Sequence, residues 1–400
     1  MLGCQYAFGP EKAEELFALL PAAPAVFLLR GGDATAEPYA GKSANLRRRI
    51  ERLLGEPEHG SKRLNLRALA KRLEFQPVGS SFEMEYLLYL VLRKEFPASY
   101  AKRLHLRPAP LLKLILDNPH PRVAFTSRVA SLRGRNRYYG PFPSRAAAEE
   151  FAEGALNFFL VRRCSDDLHP APEFPGCAYQ EMKMCLAPCN CSCTEERYAA
   201  EVERLRAFLE SGGESLRREL EAERESASRE LAFEAAAAAH QRIEKLQPLL
   251  QRMPEYVRPL AHWRGVMVQP SRLPDAVELF RIEGGMISPP ETLLVSGKQL
   301  AGKVKTPASM ESRIAAALET AAPSGAASAV EWMEHVALLR RWLYKSSRVG
   351  EIFLADGNGE LPMRRIVRGV ARVFKGEAPQ PELNQSAGDY WIQRGREVGL

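Results

Sequence analysis

Four hundred residues allow two to four domains, and a content of 46% hydrophobic and 26% charged residues is that of a soluble globular protein. The formal charge is +7, yet residues 41–110 alone hold 15 Lys and Arg against 7 Asp and Glu, a local +8 that favours a polyanionic partner. The most apolar early stretch, LLPAAPAVFLL at 19–29, is too short and too proline-rich to span a membrane, and acidic residues stand where an export signal carries positive charge. A cytoplasmic chain with no membrane partner is expected, its cysteines reduced.

AVFLLR reads as a strand, GGDATAEP as turn residues, and YAG as the returning strand of a hairpin over 24–42. Ser43 is placed to cap the next helix, where Leu46, Ile50, Leu53 and Leu54 form one apolar stripe. Arg48 and Arg52 point away from that stripe, while Arg47 and Arg49 flank it. SSFEMEYLLYLVLRKEF (80–96) predicts a buried helix closed by Pro97, PRVAFTSRV (121–129) a strand, and 144–163 a helix that runs into six cysteines between 164 and 193. Residues 195–249 read as two helices broken only by SGG at 211–213 and ending near Pro248. Beyond Pro254 the pattern turns to strands around Gly284-Gly285, a small-residue linker at 320–329 and a helix from Glu331. Arg364, Arg368 and Arg372 predict one basic helical face, read as solvated. His59, His105, His120, His169 and His335 show no metal-ligand spacing and read as surface or loop residues.

Cys164, Cys177, Cys185 and Cys189 are spaced C-x12-C-x7-C-x3-C. Four thiolates suit a 4Fe–4S cluster, one sulfur per iron, and zinc is the alternative because it also accepts four thiolates. Cys191 and Cys193 are further thiols in the same run, and Cys4 reads as a bystander.

In chain order, YAGKSANLRRR, PRVAFTSRV, RYYGPFPSRAAAEEF, RRCSDD, CAYQEMKMCLAPC and LAFEAAAAAHQRI together resemble the UvrC family and its shorter Cho-like relatives, over roughly residues 20–250. The hairpin with YAGK is similar to a GIY-YIG nuclease domain. The resemblance implies that Tyr39 positions or activates water, that Arg49 and Lys42 stabilise phosphate charge, and that Gly41 lets the backbone approach closely. It implies iron–sulfur ligation by the four cysteines. It also implies a UVR-like helical hairpin that engages a UvrB-like protein, with Leu231, Phe233, Glu234 and Ile243 in the contact beside Leu216 and Leu220.

Two positions depart from the family pattern. Phe27 stands where the hairpin's first tyrosine belongs, and Leu90 where a carboxylate would hold Mg²⁺. Glu83 and Glu85, one to two turns earlier on the same helix, are the remaining candidate Mg²⁺ ligands. Leu53 replaces a further family tyrosine. Two functions stay open: a component of nucleotide excision repair that incises damaged duplex DNA at an impaired Mg²⁺-dependent site, and a non-catalytic DNA- and UvrB-binding adaptor.

The fold class expected is α+β and modular. A GIY-YIG-like domain with a small mixed sheet covers 1–104, a linker and cysteine-rich module 105–195, a helical hairpin 196–250, and a separate α/β region of unknown role 255–400.

Overall fold

The structure is a computed structural model that describes residues 2–33, 35–57, 64–129, 134–253, 257–296, 309–320 and 328–379. Within them the chain is α+β, with three small sheets. His59 and most of the 320–329 linker lie outside the described residues.

The first part comprises β1 (Cys4–Ala7), α1 (Ala13–Leu19), β2 (Ala25–Arg30), β3 (Tyr39–Ser43), α2 (Leu46–Leu54) and β4 (Arg72–Pro77). The sheet order is β1-β4-β2-β3 and every neighbouring pair is antiparallel, not mixed as the sequence suggested. The reason is the return path: α2 carries the chain back beside the sheet, so β4 re-enters in the direction of β3 and lies antiparallel to β2. Alternation along the strands then gives two apolar faces. Phe27, Leu29, Leu73 and Phe75 pack against the buried stripe of α2 and against α1. Val26 and Leu28 face α3 (Ser81–Glu95) on the other side. The cap of α2 is Asn45, whose side chain accepts from the Arg48 amide; Ser43 is still strand and braces Asn45 instead. After α3 comes the short α4 (Tyr100–Leu104).

The second sheet, β6-β5-β7-β8, joins β5 (Leu111–Ile115), β6 (Arg122–Thr126) and β7 (Arg137–Gly140) to a distant β8 (Arg258–Pro259). Against it lies α5 (Arg145–Leu156), which stops seven residues short of Arg163 because Phe159 and Val161 turn into the core. The cysteine loop carries α6 (Ala178–Glu181) and leads into α7 (Glu195–Glu210), α8 (Glu214–Arg229) and α9 (Phe233–Arg252). A second break, unforeseen from the sequence, separates α8 from α9: Leu231 adopts a left-handed φ of 59°. Pro248 sits inside α9 rather than ending it.

The last part holds β9 (Arg264–Pro270), β10 (Ala276–Glu283), β11 (Met286–Ile287), β12 (Glu291–Leu294), α10 (Met310–Thr320), α11 (Ala329–Leu343), β13 (Glu351–Leu354) and α12 (Met363–Lys375). β9 lies between β10 and β13, while β11 and β12 share the other edge of β10. One face packs on α10 and α12. The other face shares a single apolar cluster with α11 and α3, where the Phe82 ring meets Phe280 edge-on at 5.1 Å and Trp342 at 6.1 Å. His335 belongs to this core, contrary to the surface position expected: it is 3% exposed and its Nδ1 accepts from the Ile287 amide at 2.9 Å. On α12, Arg372 is spent on a paired contact with Glu351, so the exposed arginines are Arg364, Arg365 and Arg368.

Candidate functional site

The register of β2 and β3 places buried Phe27 directly opposite Gly41. A β-carbon at Gly41 would stand 2.8 Å from Phe27 Cζ, so only glycine fits under the ring. Two residues earlier on the same face, the Tyr39 ring leans on Phe27 with centroids 6.1 Å apart. The Tyr39 hydroxyl accepts from Arg49 Nη2 at 2.8 Å. Its own proton is thereby left for an outside acceptor such as a phosphate oxygen. Arg49 Nε is buried and has no hydrogen-bond partner among the described residues. Arg47, by contrast, is structural, donating to the Leu20 and Ala18 carbonyls that end α1. Leu53 is core.

Lys42 alternates to the other face of β3, toward α3, and pairs with Glu85. Because β3 is the sheet edge, the Tyr39–Arg49 pair and the Lys42–Glu85 pair flank one open border from opposite faces. The second carboxylate oxygen of Glu85 accepts from Arg341 Nη1 of α11 at 2.9 Å. Glu83 is turned back on the start of α3: its carboxylate accepts from the Gly79 amide at 2.7 Å, while Ser80 Oγ accepts from the Glu83 amide at 3.0 Å. Both bonds cap the start of α3, Glu83 taking the amide of the residue before the Ser80 cap. Burial, reinforced by nearby Glu278, pushes the Glu83 carboxyl up to about 7. Leu90 lies farther along α3, 36% exposed and without any donor to offer.

Mg²⁺ prefers octahedral oxygen ligation with one or two carboxylates and retained waters. Here Glu83 is committed to the helix cap, Glu85 already carries two cations, and Leu90 is apolar. These residues do not fit the ion that the family resemblance implies.

The cysteine loop presents a different donor set. Burial pushes the Cys185 thiol up to about 11, and Cys164, Cys177 and Cys189 each add to that effect, so the four sulfurs are gathered within electrostatic reach. The Ala187 amide donates to Cys185 Sγ at 3.3 Å, and Arg162 Nη1 approaches Cys164 Sγ at 3.6 Å. Arg162 is 1% exposed, held by the carbonyls of His120 and Asp166, and its Nη2 has no partner among the described residues. A buried guanidinium left short of a partner calls for negative charge nearby, which thiolates on a metal cluster supply. Among the described residues no three His, Cys, Asp or Glu side chains converge enough to hold a single ion.

The hairpin divides its apolar residues. Leu216, Leu220 and Ile243 are buried against the middle core. Leu231 and Phe233 at the tip are 70% and 71% exposed, with Glu234 exposed beside them. Among the described residues no helix is long and apolar enough to cross a membrane.

The family model for the UvrC/Cho excinuclease middle domain matches residues 110–208, the stretch that forms β5, β6 and β7 of the second sheet, α5, the cysteine loop and most of α7. The chain is 29% identical over 203 residues to the UvrABC system protein C of Desulfitobacterium hafniense, which covers 50% of this chain and 31% of that protein. It is 30% identical over 202 residues to that of Carboxydothermus hydrogenoformans (49% and 32%) and 28% identical over 178 residues to that of Idiomarina loihiensis (43% and 28%). The chain thus spans about a third of the length of the curated relatives it matches. No solved structure matches it. Residues 110–208 are thus similar to the UvrC/Cho excinuclease middle domain, and about half of the chain is similar to UvrABC system protein C.

Proposed function

We propose that the chain is a nucleotide excision repair component that binds damaged duplex DNA along the open edge of β3 and a UvrB-like protein through the tip of the α8/α9 hairpin. The observation that carries this reading is the UvrC/Cho middle-domain match, since that domain connects the two proposed surfaces in one chain. On the DNA side it is supported by Tyr39 with a free proton, Arg49 with an unpaired Nε, and the excess of basic residues over 41–110. On the partner side it is supported by two large apolar side chains held out in solvent at a helical turn. The cysteine loop holds a 4Fe–4S cluster in this reading, with Cys164, Cys177, Cys185 and Cys189 as ligands and Arg162 as counter-charge.

With Glu83 and Glu85 engaged and Leu90 apolar, the chain is expected to bind duplex DNA with salt-sensitive affinity and to nick it slowly or not at all. The test is a nicking assay on a damaged duplex in Mg²⁺, with and without UvrA and UvrB proteins. One observation favours the incision reading instead, the Tyr39–Arg49 hydrogen bond, which pre-aligns a phenol and a guanidinium. Mg²⁺-dependent nicking that disappears in both Tyr39→Phe and Arg49→Ala would establish it.

A further inference from the structure

We infer that Arg341 is the cation this chain keeps at Glu85, so that the β3 edge receives its phosphate without a divalent metal. The nature of the ligand rests on the DNA reading above; the placement of the cation does not. Lys42 and Arg341 take one carboxylate oxygen of Glu85 each. The other arm of the Arg341 guanidinium donates to the His105 carbonyl at 3.0 Å, which fixes its plane.

Arg341 is also held by the docking of its whole helix. α11 runs antiparallel along α3, and contacts recur from end to end: Glu331 with Arg93, Glu334 accepting from the Tyr89 and Tyr100 hydroxyls at 3.0 and 2.7 Å, and Lys345 donating to Ser81 Oγ at 3.2 Å. Beneath them Tyr86, Tyr89, Trp332 and Trp342 share one buried cluster.

The charge count follows from these partners. One carboxylate faces two fixed cations, so this spot is net positive before any ligand arrives. A divalent ion entering there would have to expel Arg341 or Lys42 and then sit beside the cation that remained. An anionic phosphodiester meets the opposite balance: the surplus charge attracts it. The last part of the chain thus acquires a role, which is to cover α3 and to supply the positive charge at the first part's edge.

The test is an Mn²⁺ titration of the full-length protein followed by electron paramagnetic resonance, without DNA, on wild type, Glu85→Gln, Arg341→Ala, Arg341→Gln and Arg341→Ala/Glu85→Gln. Circular dichroism confirms the fold of each variant, and Arg341→Gln keeps a donor for the His105 carbonyl if the alanine variant loosens α11. Wild type and Glu85→Gln are expected to bind Mn²⁺ indistinguishably. The charge-removing variants, which leave Lys42 as the one cation on Glu85, are expected to gain Mn²⁺ affinity over wild type at one site, lost again in the double variant. A wild-type Mn²⁺ site that Glu85→Gln abolishes overturns the inference, as does the absence of any gained site in both folded Arg341 variants. A second arm measures duplex DNA binding in EDTA and in Mg²⁺ at fixed ionic strength. Equal affinities support a metal-free phosphate site, whereas affinity present only in Mg²⁺ overturns it; no DNA binding under either condition removes the DNA reading and leaves the titration result standing.

Discussion

Gly41 shows how tightly single positions are held at the β3 edge. With Phe27 Cζ 2.8 Å from its absent β-carbon, Gly41→Ala is expected to destabilise the chain by about 1–3 kcal/mol, the usual cost of overpacking. Phe27→Leu in the same chain should return part of the loss, and urea titrations of the single and double variants read both effects. Glu83 gives a pH dependence. Folded, its carboxyl holds a proton up to about pH 7; unfolded, only up to the ordinary carboxylate range near 4.5. Its contribution to stability is therefore complete below that range and is lost as pH rises through 7. Glu83→Gln keeps a carbonyl for the Gly79 amide without the charge, so it should match wild type at pH 5 and exceed it at pH 8. Parallel urea curves for the two proteins across that range would contradict this. Under the cluster reading, Arg162→Met removes a buried positive charge beside Cys164. The cluster's reduction potential should then fall and its reconstitution yield with it, measured by anaerobic redox titration; an unchanged potential would leave Arg162 a purely structural residue. That Tyr39 stands on a strand and Arg49 flanks a helix stripe was legible in the sequence, whereas their proposed roles came only from the family resemblance. Arg341 was not: it stands 256 residues from Glu85, and no local pattern announces such a contact.

At the scale of elements, the β2/β3 hairpin, α2, α3 and α7 were readable because turn residues and apolar spacing agree within each segment. β4 was hidden, although it lies centrally in its sheet. Its Glu74 is buried between Arg30 and Arg72, at 2.7 and 3.0 Å, so the strand alternates polar and apolar residues where a strand covered on both faces would show a continuous apolar run. The break between α8 and α9 was hidden for another reason. Helix-forming residues continue through it, and only the left-handed backbone at Leu231 turns the chain. That turn lifts Leu231 and Phe233 away from the core that Leu216, Leu220 and Ile243 complete. Phe233→Ala should therefore weaken binding to a UvrB-like protein by about 2 kcal/mol while leaving the melting temperature within a degree or so of wild type. Calorimetric titration with the partner and a thermal melt of the free chain check the two halves. A lowered melting temperature with intact binding would place Phe233 in the fold instead.

For the molecule as a whole, the sequence indicated an α+β chain of several parts but not which parts share a core. The mostly apolar sequence of α3 said that it is buried; it could not say by what. One side is covered by β2, and another by α11 and β10. At Gly79 the first part meets the last backbone to backbone, with no room for a side chain between that glycine and Pro270–Arg272. A fragment ending at residue 253 should accordingly leave Phe82, Tyr86 and Tyr89 uncovered, bind far more of a hydrophobic dye than the full chain, and aggregate on storage. A soluble monomeric fragment with unchanged dye binding would show that the first part closes its core alone.

The shared core also orders events during synthesis. Phe82 leaves the ribosome 260 residues before Trp342, its partner across the cluster. At roughly 5–20 residues per second that separation amounts to about 13–50 s. For that interval α3 has only its own sheet to lie on, while the middle sheet, lacking the late strand β8, is likewise unfinished. Both early parts thus wait on segments made near the end, and a nascent chain of this kind presents an aromatic helix face to whatever holds unfinished proteins in the cell.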